Sequence, residues 1–232
     1  MPTIEKQISL IRSKFSNALL RPDLGAIVGV VLVFLFFFLV ARDTGMFSLE
    51  GSMNWGIVSS QFIIIAVGAC LLMIAGEFDL SVGSMIGFAG IIIAVTSVVW
   101  GWPVWLSIIA AFIVSMAIGG LIGYITVKTN LPSFIVSLAF LYILRGMTIF
   151  IAIISTKKTI IGGVTEVAEN DWLAPIFGGK IFTGAFEWLA EHGIIQTFVA
   201  GTKAGQPVVS GIPMMMVWAI GLIIFAHLLL TK

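Results

Sequence analysis

The sequence predicts an all-α polytopic transmembrane protein of about six membrane helices with one long outer loop. Three observations carry that prediction. Hydrophobic residues make up 59% of the 232 and charged ones only 10%, where a soluble domain holds about 25% charged, and the mean hydropathy is +1.16. Apolar stretches at 24–41, 55–75, 84–100, 105–127, 131–154 and 213–230 match a hydrocarbon layer of about 30 Å, which takes about 20 helical residues per crossing. None of them alternates apolar and polar residues as a barrel strand does, so each reads as a helix.

The same composition excludes several function classes. A formal net charge of +1 without clustered Lys and Arg leaves nothing to displace counterions from a phosphate backbone, so nucleic acid is not a partner. Cys70, the single cysteine, has no disulfide partner and no Cys or His neighbours for a zinc site, and neither metal nor cofactor is expected.

The first 23 residues carry Lys6, Arg12, Lys14 and Arg21 against Glu5 and Asp23, which places the N-terminus in the cytoplasm. The first helix, 24–41, exceeds the apolar core of a secretory signal, and Val40-Ala41-Arg42-Asp43 makes a poor cleavage site, so it reads as a retained anchor. Alternation then sets 42–54, 101–104 and 155–212 outside, and 76–83, 128–130 and Lys232 inside. Trp55, Trp100, Trp102, Trp105 and Trp218 all fall at outer helix ends, where indoles favour the headgroup layer. The whole of 1–232 reads as one membrane domain: a cytoplasmic segment 1–23, a five-helix region 24–154, a water-facing loop 155–212 and a sixth helix 213–230. Within the loop, Phe182, Phe186, Trp188 and Leu189 sit close together, as in a short amphipathic helix at the outer interface or a partner-docking surface.

Catalytic chemistry finds no footing. A phosphate-binding P-loop needs Gly, four residues, then Gly-Lys-Ser/Thr; Gly178-Gly179-Lys180 is followed by Ile181, and Ala174 stands where the first Gly belongs. His192 and His227 lie far apart, and no serine has an elbow around it, so the chain does not read as an enzyme and no catalytic residue is assigned.

The informative polar residues lie between and within the apolar runs. Gly76-Glu77-Phe78-Asp79-Leu80-Ser81-Val82-Gly83-Ser84 breaks two helices with glycines, carboxylates and hydroxyls. It reads either as a cytoplasmic turn in which Asp79 or Ser81 caps the next helix, or as a broken-helix element lining a path. Arg145 lies deep inside the fifth run, where a charge costs about 2.5–3.5 kcal/mol on insertion scales and must face protein or water. At about 100° per residue, Ser133, Ser137, Arg145 and Thr148 share one stripe of that helix, with Tyr142 almost opposite. Arg145 is then either a structural cation satisfied by carbonyls or by Asp79, or part of a path. On the fourth helix, Ala111, Ser115, Gly119 and Gly123 form a small-residue ridge suited to close helix packing, and Pro132 suits the first turn of the fifth.

The string from Gly76 to Ser84, together with Leu131-Pro132-Ser133-Phe134-Ile135-Val136-Ser137-Leu138 and Leu144-Arg145-Gly146, resembles the membrane permeases of bacterial monosaccharide ABC importers of the ribose and xylose type. Where that family more often has Gly, this chain has Glu77, as xylose-like members carry an acidic residue, which hints at a pentose. The resemblance implies a subunit of the bacterial inner membrane that pairs with a second permease copy, receives sugar from a periplasmic sugar-binding protein and is driven by a cytoplasmic ATPase subunit. It also implies that Asp79, Ser81, Ser133, Ser137 and Arg145 lie near the translocation path, with Arg145 a brace rather than a sugar ligand because sugar is neutral; Glu77, Ser84 and Thr148 are further candidates for that path. Family members have about ten helices and an ATPase-coupling segment just beyond the position of Lys232, so the chain is expected to be the N-terminal part of a longer permease. Two other classes stand beside this reading: an ion-coupled carrier or channel in which Glu77, Asp79 and Arg145 form a relay, and a truncated, non-transporting membrane scaffold.

Overall fold

The computed structural model describes residues 22–198 and 205–231. The basic N-terminal segment with Lys6, Arg12, Lys14 and Arg21, and also Lys203 and Lys232, lie outside those residues. Six helical spans are long and apolar enough to cross a membrane, from Leu24–Thr44 to Met214–Thr231. The chain divides into two compact units at Asn54.

The first unit holds α1 (Pro22–Ala41), apolar on every side as a lipid-embedded helix is, followed by a single 3-10 turn, Arg42–Thr44. Gly45, at φ +80°, then reverses the chain into Ser48. The Ser48 hydroxyl accepts the Gly51 N–H at 3.1 Å and so caps the next helix, α2 (Leu49–Ile74), with Glu50 in its first turn. This helix therefore starts six residues before the apolar run that announces it, and Trp55 stands in its second turn rather than at its end.

In the second unit the centre of packing is α3 (Val82–Ala94), which continues as a π-helical turn, Val95–Val99. Phe88 and Ile91 of α3 and Val95 of the π turn are buried with Leu144 and Ala152 of α5 (Ser133–Thr156), and Val114 and Ile118 of α4 (Val104–Thr129) close the cluster. The π turn has a local cause: the Thr96 and Ser97 hydroxyls donate to the carbonyls of Ile92 and Ile93 and compete with the backbone amides for them. Trp100 then donates from its N–H to the Val95 carbonyl, five residues back. Pro132 is the cap ahead of α5, just outside the helix, and Ser133 is its first residue.

Among the described residues the small-residue ridge of α4 packs only at its N-terminal half. Ala111 is buried and Ser115 half-buried, whereas a Cβ built on Gly119 or Gly123 would meet nothing within 4 Å among the described residues. The reason is geometric: a four-residue step advances about 400°, so the ridge drifts about 40° per step away from the buried face, which runs instead through Ala111, Ile118 and Ile122.

The described residues of the long loop, 155–198 and 205–212, hold more secondary structure than its composition suggests. It carries α6 (Val164–Glu169), α7 (Ala174–Gly178), β1 (Lys180–Ile181), α8 (Thr183–Glu191) and β2 (Ile212–Pro213) before α9 (Met214–Thr231). The amphipathic helix expected around Phe182 to Leu189 is α8, with Trp188 stacked on His192 at 4.2 Å. Antiparallel pairing of Lys180 with Pro213 and Ile181 with Ile212 closes the excursion at its base, and Gly211, at φ +141°, leaves no room for a side chain against the Ile181 carbonyl. Asp171 pins the loop to the bundle: its carboxylate accepts from the Trp105 N–H at the start of α4 (3.1 Å) and from Leu173 N–H (3.0 Å). Although partial desolvation pushes its pKa up, the backbone N–H groups of Leu173, Trp105, Val104 and Ala174 outweigh that and hold the carboxyl below its ordinary value of 3.8.

Candidate functional site

The polar turn between α2 and α3 is built from both of its ends. Gly76, at φ +82°, donates to the Met73 carbonyl (3.0 Å) while Glu77 N–H reaches back to Leu72 (3.1 Å), the paired bonds that end a helix on a left-handed glycine. Asp79 then folds the chain onto itself, its Oδ1 accepting both the N–H (2.7 Å) and the hydroxyl (2.6 Å) of Ser81. Ser81 is fully buried, and its carbonyl receives the first helical bond of α3 from Met85 (2.8 Å). Its hydroxyl donates to Asp79 and makes no cap of α3.

Two hydroxyls of α5, one helical turn apart, fasten this turn. Ser133 Oγ accepts the Phe78 N–H at 3.0 Å, and Ser137 Oγ accepts the Leu80 N–H at 3.1 Å. Ser137 is fully buried and also lies within donating distance of the Phe78 and Phe134 carbonyls (3.5 and 3.3 Å). Residues 78 to 80 would otherwise offer bare backbone at the end of a bundle, and the serines at i and i+4 supply acceptors at the right rise. The turn thus sits level with the first turns of α5.

Glu77 and Asp79 line a cavity of about 430 Å³ between this turn and α2, whose other walls are apolar and include Ile64, Gly68, Leu72 and Val82. Both carboxylates are half-buried. Such a cleft offers acceptors to hydroxyl-rich or cationic solutes against apolar walls. Ser84, half-buried in the first turn of α3, has no side-chain hydrogen bond among the described residues. Among those residues no three His, Cys, Asp or Glu gather at metal-binding range.

The rest of the α5 stripe does not act as one strip. Thr148 Oγ1 donates to the Leu144 carbonyl in its own helix (2.8 Å). Arg145 stands about 100° round from the buried Leu144, on the shoulder of the packed face, exposed and without a hydrogen bond or ion pair among the described residues. Asp79 is not its partner; eight residues, about 12 Å of helix, separate Arg145 from the Ser137 level at which Asp79 lies. Sequence reasoning singled out the turn and the two serines separately but had no signal that they meet, and the walls contributed by α2 carry no distinguishing residue type. His227 is exposed on α9, and Cys70 is exposed on α2.

A family model described as branched-chain amino acid transport system / permease component matches residues 52–232. The xylose transport system permease protein of Haemophilus influenzae is 32% identical over 161 residues, covering 68% of this chain and 43% of that protein. Its Escherichia coli counterpart is 29% identical over 143 residues (62% and 36%), and the ribose import permease protein of Haemophilus influenzae is 30% identical over 119 (51% and 36%). The chain spans less than half the length of each of these relatives. No solved structure matches.

Proposed function

We infer what this chain does from what it is: it belongs to the branched-chain amino acid transport system / permease component family, a family of transport permeases, and is a multi-pass membrane protein. We propose that it is a membrane subunit, not an enzyme, of an ATP-binding-cassette importer, and that it forms part of the path of a monosaccharide across a bacterial inner membrane with its N-terminus in the cytoplasm. The family description names amino acids whereas the relatives cited above are named for xylose and ribose; the relatives align directly with this sequence, so sugar is the better-supported cargo. The observation that carries the reading is the match to the xylose permeases, with Glu77 hinting at a pentose.

In this proposal a cytoplasmic ATPase subunit drives the cycle, a periplasmic sugar-binding protein delivers cargo at the outer loop, and a second copy completes the path, with open Gly119 and Gly123 allowing close approach. Glu77 and Asp79 border the inner mouth and accept hydrogen bonds from sugar hydroxyls; Ser81, Ser133 and Ser137 hold the mouth in shape. Ser84 flanks it on α3, and Arg145 and Thr148 stand at mid-depth on α5. The cavity bounded by the two carboxylates supports this assignment.

Growth on single carbon sources tests it. Expressing the full gene product with its partner subunits in a strain lacking its own pentose and hexose importers restores growth on xylose or ribose, and Asp79→Ala removes the gain. Restored leucine uptake in an amino-acid auxotroph, with no sugar phenotype, overturns the sugar reading.

A further inference from the structure

Arg145 has a position that no other charge among the described residues shares. It is the thirteenth of the 24 residues of α5, about 18 Å from Ser133 and about 16 Å from Thr156 along the axis. Its side chain reaches little more than one helical turn, about 5.4 Å, and so falls short of either headgroup layer of a core about 30 Å thick. Every other charged side chain in the six spans, namely Arg42, Asp43, Glu50 and Lys128, lies in an outermost turn. Among the described residues no carboxylate lies at this depth. Guanidinium does not deprotonate in proteins, so the positive charge persists at any physiological pH. Exposed and unpaired among the described residues, it faces whatever lies beside α5.

We propose that Arg145 is an electrostatic barrier that keeps the permeation path closed to protons and metal cations while uncharged sugar passes. This rests on the reading above that Arg145 lies along the path of a sugar. A fixed positive charge in a narrow, low-dielectric passage repels cations strongly, because field lines are focused there and water screens little. A neutral polyol feels no such repulsion and can accept a hydrogen bond from the guanidinium. A membrane subunit that opens to both sides in alternation must avoid dissipating ion gradients, and an unneutralised arginine at mid-depth supplies that property without moving parts. The charge also argues against a cation relay through Glu77 and Asp79, since any cation leaving them would climb toward Arg145.

The test is a leak measurement on the full gene product reconstituted with its partner subunits in liposomes that hold a pH-sensitive dye. Proton and potassium gradients are imposed without ATP or sugar. Wild type and Arg145→Lys stay close to protein-free liposomes, whereas Arg145→Met and Arg145→Gln leak about tenfold faster or more. Removing the charge eases insertion of the helix, and equal reconstituted amounts are checked for each variant. Equal leak from wild type, Arg145→Met and Arg145→Gln overturns the proposal, as does Arg145→Lys leaking as fast as Arg145→Met. ATP-driven xylose uptake by the same wild-type vesicles separates the two claims. Uptake with no difference in leak removes the barrier and leaves the permease; the leak pattern without sugar uptake supports the barrier on a path for other cargo.

Discussion

Removing the Ser137 hydroxyl tests the clamp between α5 and the inner turn. In Ser137→Ala the Leu80 N–H loses the acceptor it has at 3.1 Å, a part-buried bond whose serine is fully buried. An orphaned buried donor costs about 1–3 kcal/mol, while interhelical hydrogen bonds in membrane proteins average about 0.6 and reach about 1.7 kcal/mol in double-mutant cycles. The overlap gives about 1–2 kcal/mol, a factor of roughly 5–30 in the unfolding equilibrium. Ser133→Ala is milder, about 0.5 kcal/mol, because Phe78 and its neighbourhood are exposed and water can replace the lost oxygen. Equilibrium unfolding in mixed detergent micelles reads both values, and hydrogen exchange at the Leu80 amide should accelerate in Ser137→Ala alone. A Ser133→Ala cost equal to or larger than that of Ser137→Ala, or a Ser137→Ala value within about 0.3 kcal/mol of wild type, would refute the reasoning, since burial would then not set the energy of the bond.

The Asp171 clamp makes the long loop acid-sensitive: its carboxyl titrates below 3.8 in the folded chain, so its stabilising contribution is complete above that pH and fades as pH falls through the depressed value. Limited proteolysis of the loop against pH should show that step in wild type, and Asp171→Ala should be cleaved readily at neutral pH with no step. Gly211→Ala forces a Cβ to 2.7 Å from the Ile181 carbonyl at φ +141°, which should open the β1–β2 closure; protease susceptibility of 182–211 rises while the transmembrane helicity by circular dichroism is retained. Trp218→Phe removes the Nε1–H bond to the Ile176 carbonyl (2.9 Å) that ties α9 to α7 and should lower stability by about 0.5–1.5 kcal/mol in the same micellar titration.

The spans were legible because a lipid-embedded helix has only one way to satisfy its backbone, and uninterrupted apolar residues reveal it. Their ends were less so. Leu49 to Asn54 look like a polar turn, yet the Ser48 cap and Glu50 start the helix ahead of the apolar run. The π turn at Val95–Val99 depends on where two hydroxyls point, and a residue pattern does not encode that. At the site, composition marked Gly76 to Ser84 and spacing marked the α5 stripe, but their union through Ser133 and Ser137 joins residues 55 and 57 positions apart. Three of the four stripe residues are turned to backbone carbonyls or amides, which periodicity alone cannot distinguish from facing a path. Asp171 escaped notice for the same reason: its targets at the start of α4 lie 66 residues away. The ridge on α4 was read by spacing without its drift, and only the half that stays on the packed face is covered.

The most direct test of the central claim is uptake of radiolabelled xylose and ribose into vesicles carrying the full gene product, its ATPase subunit and its binding protein. The account predicts accumulation that requires ATP, persists when an uncoupler collapses the membrane potential and falls in Asp79→Ala. Accumulation abolished by the uncoupler with ATP present would contradict it, and would put an ion-coupled carrier in its place.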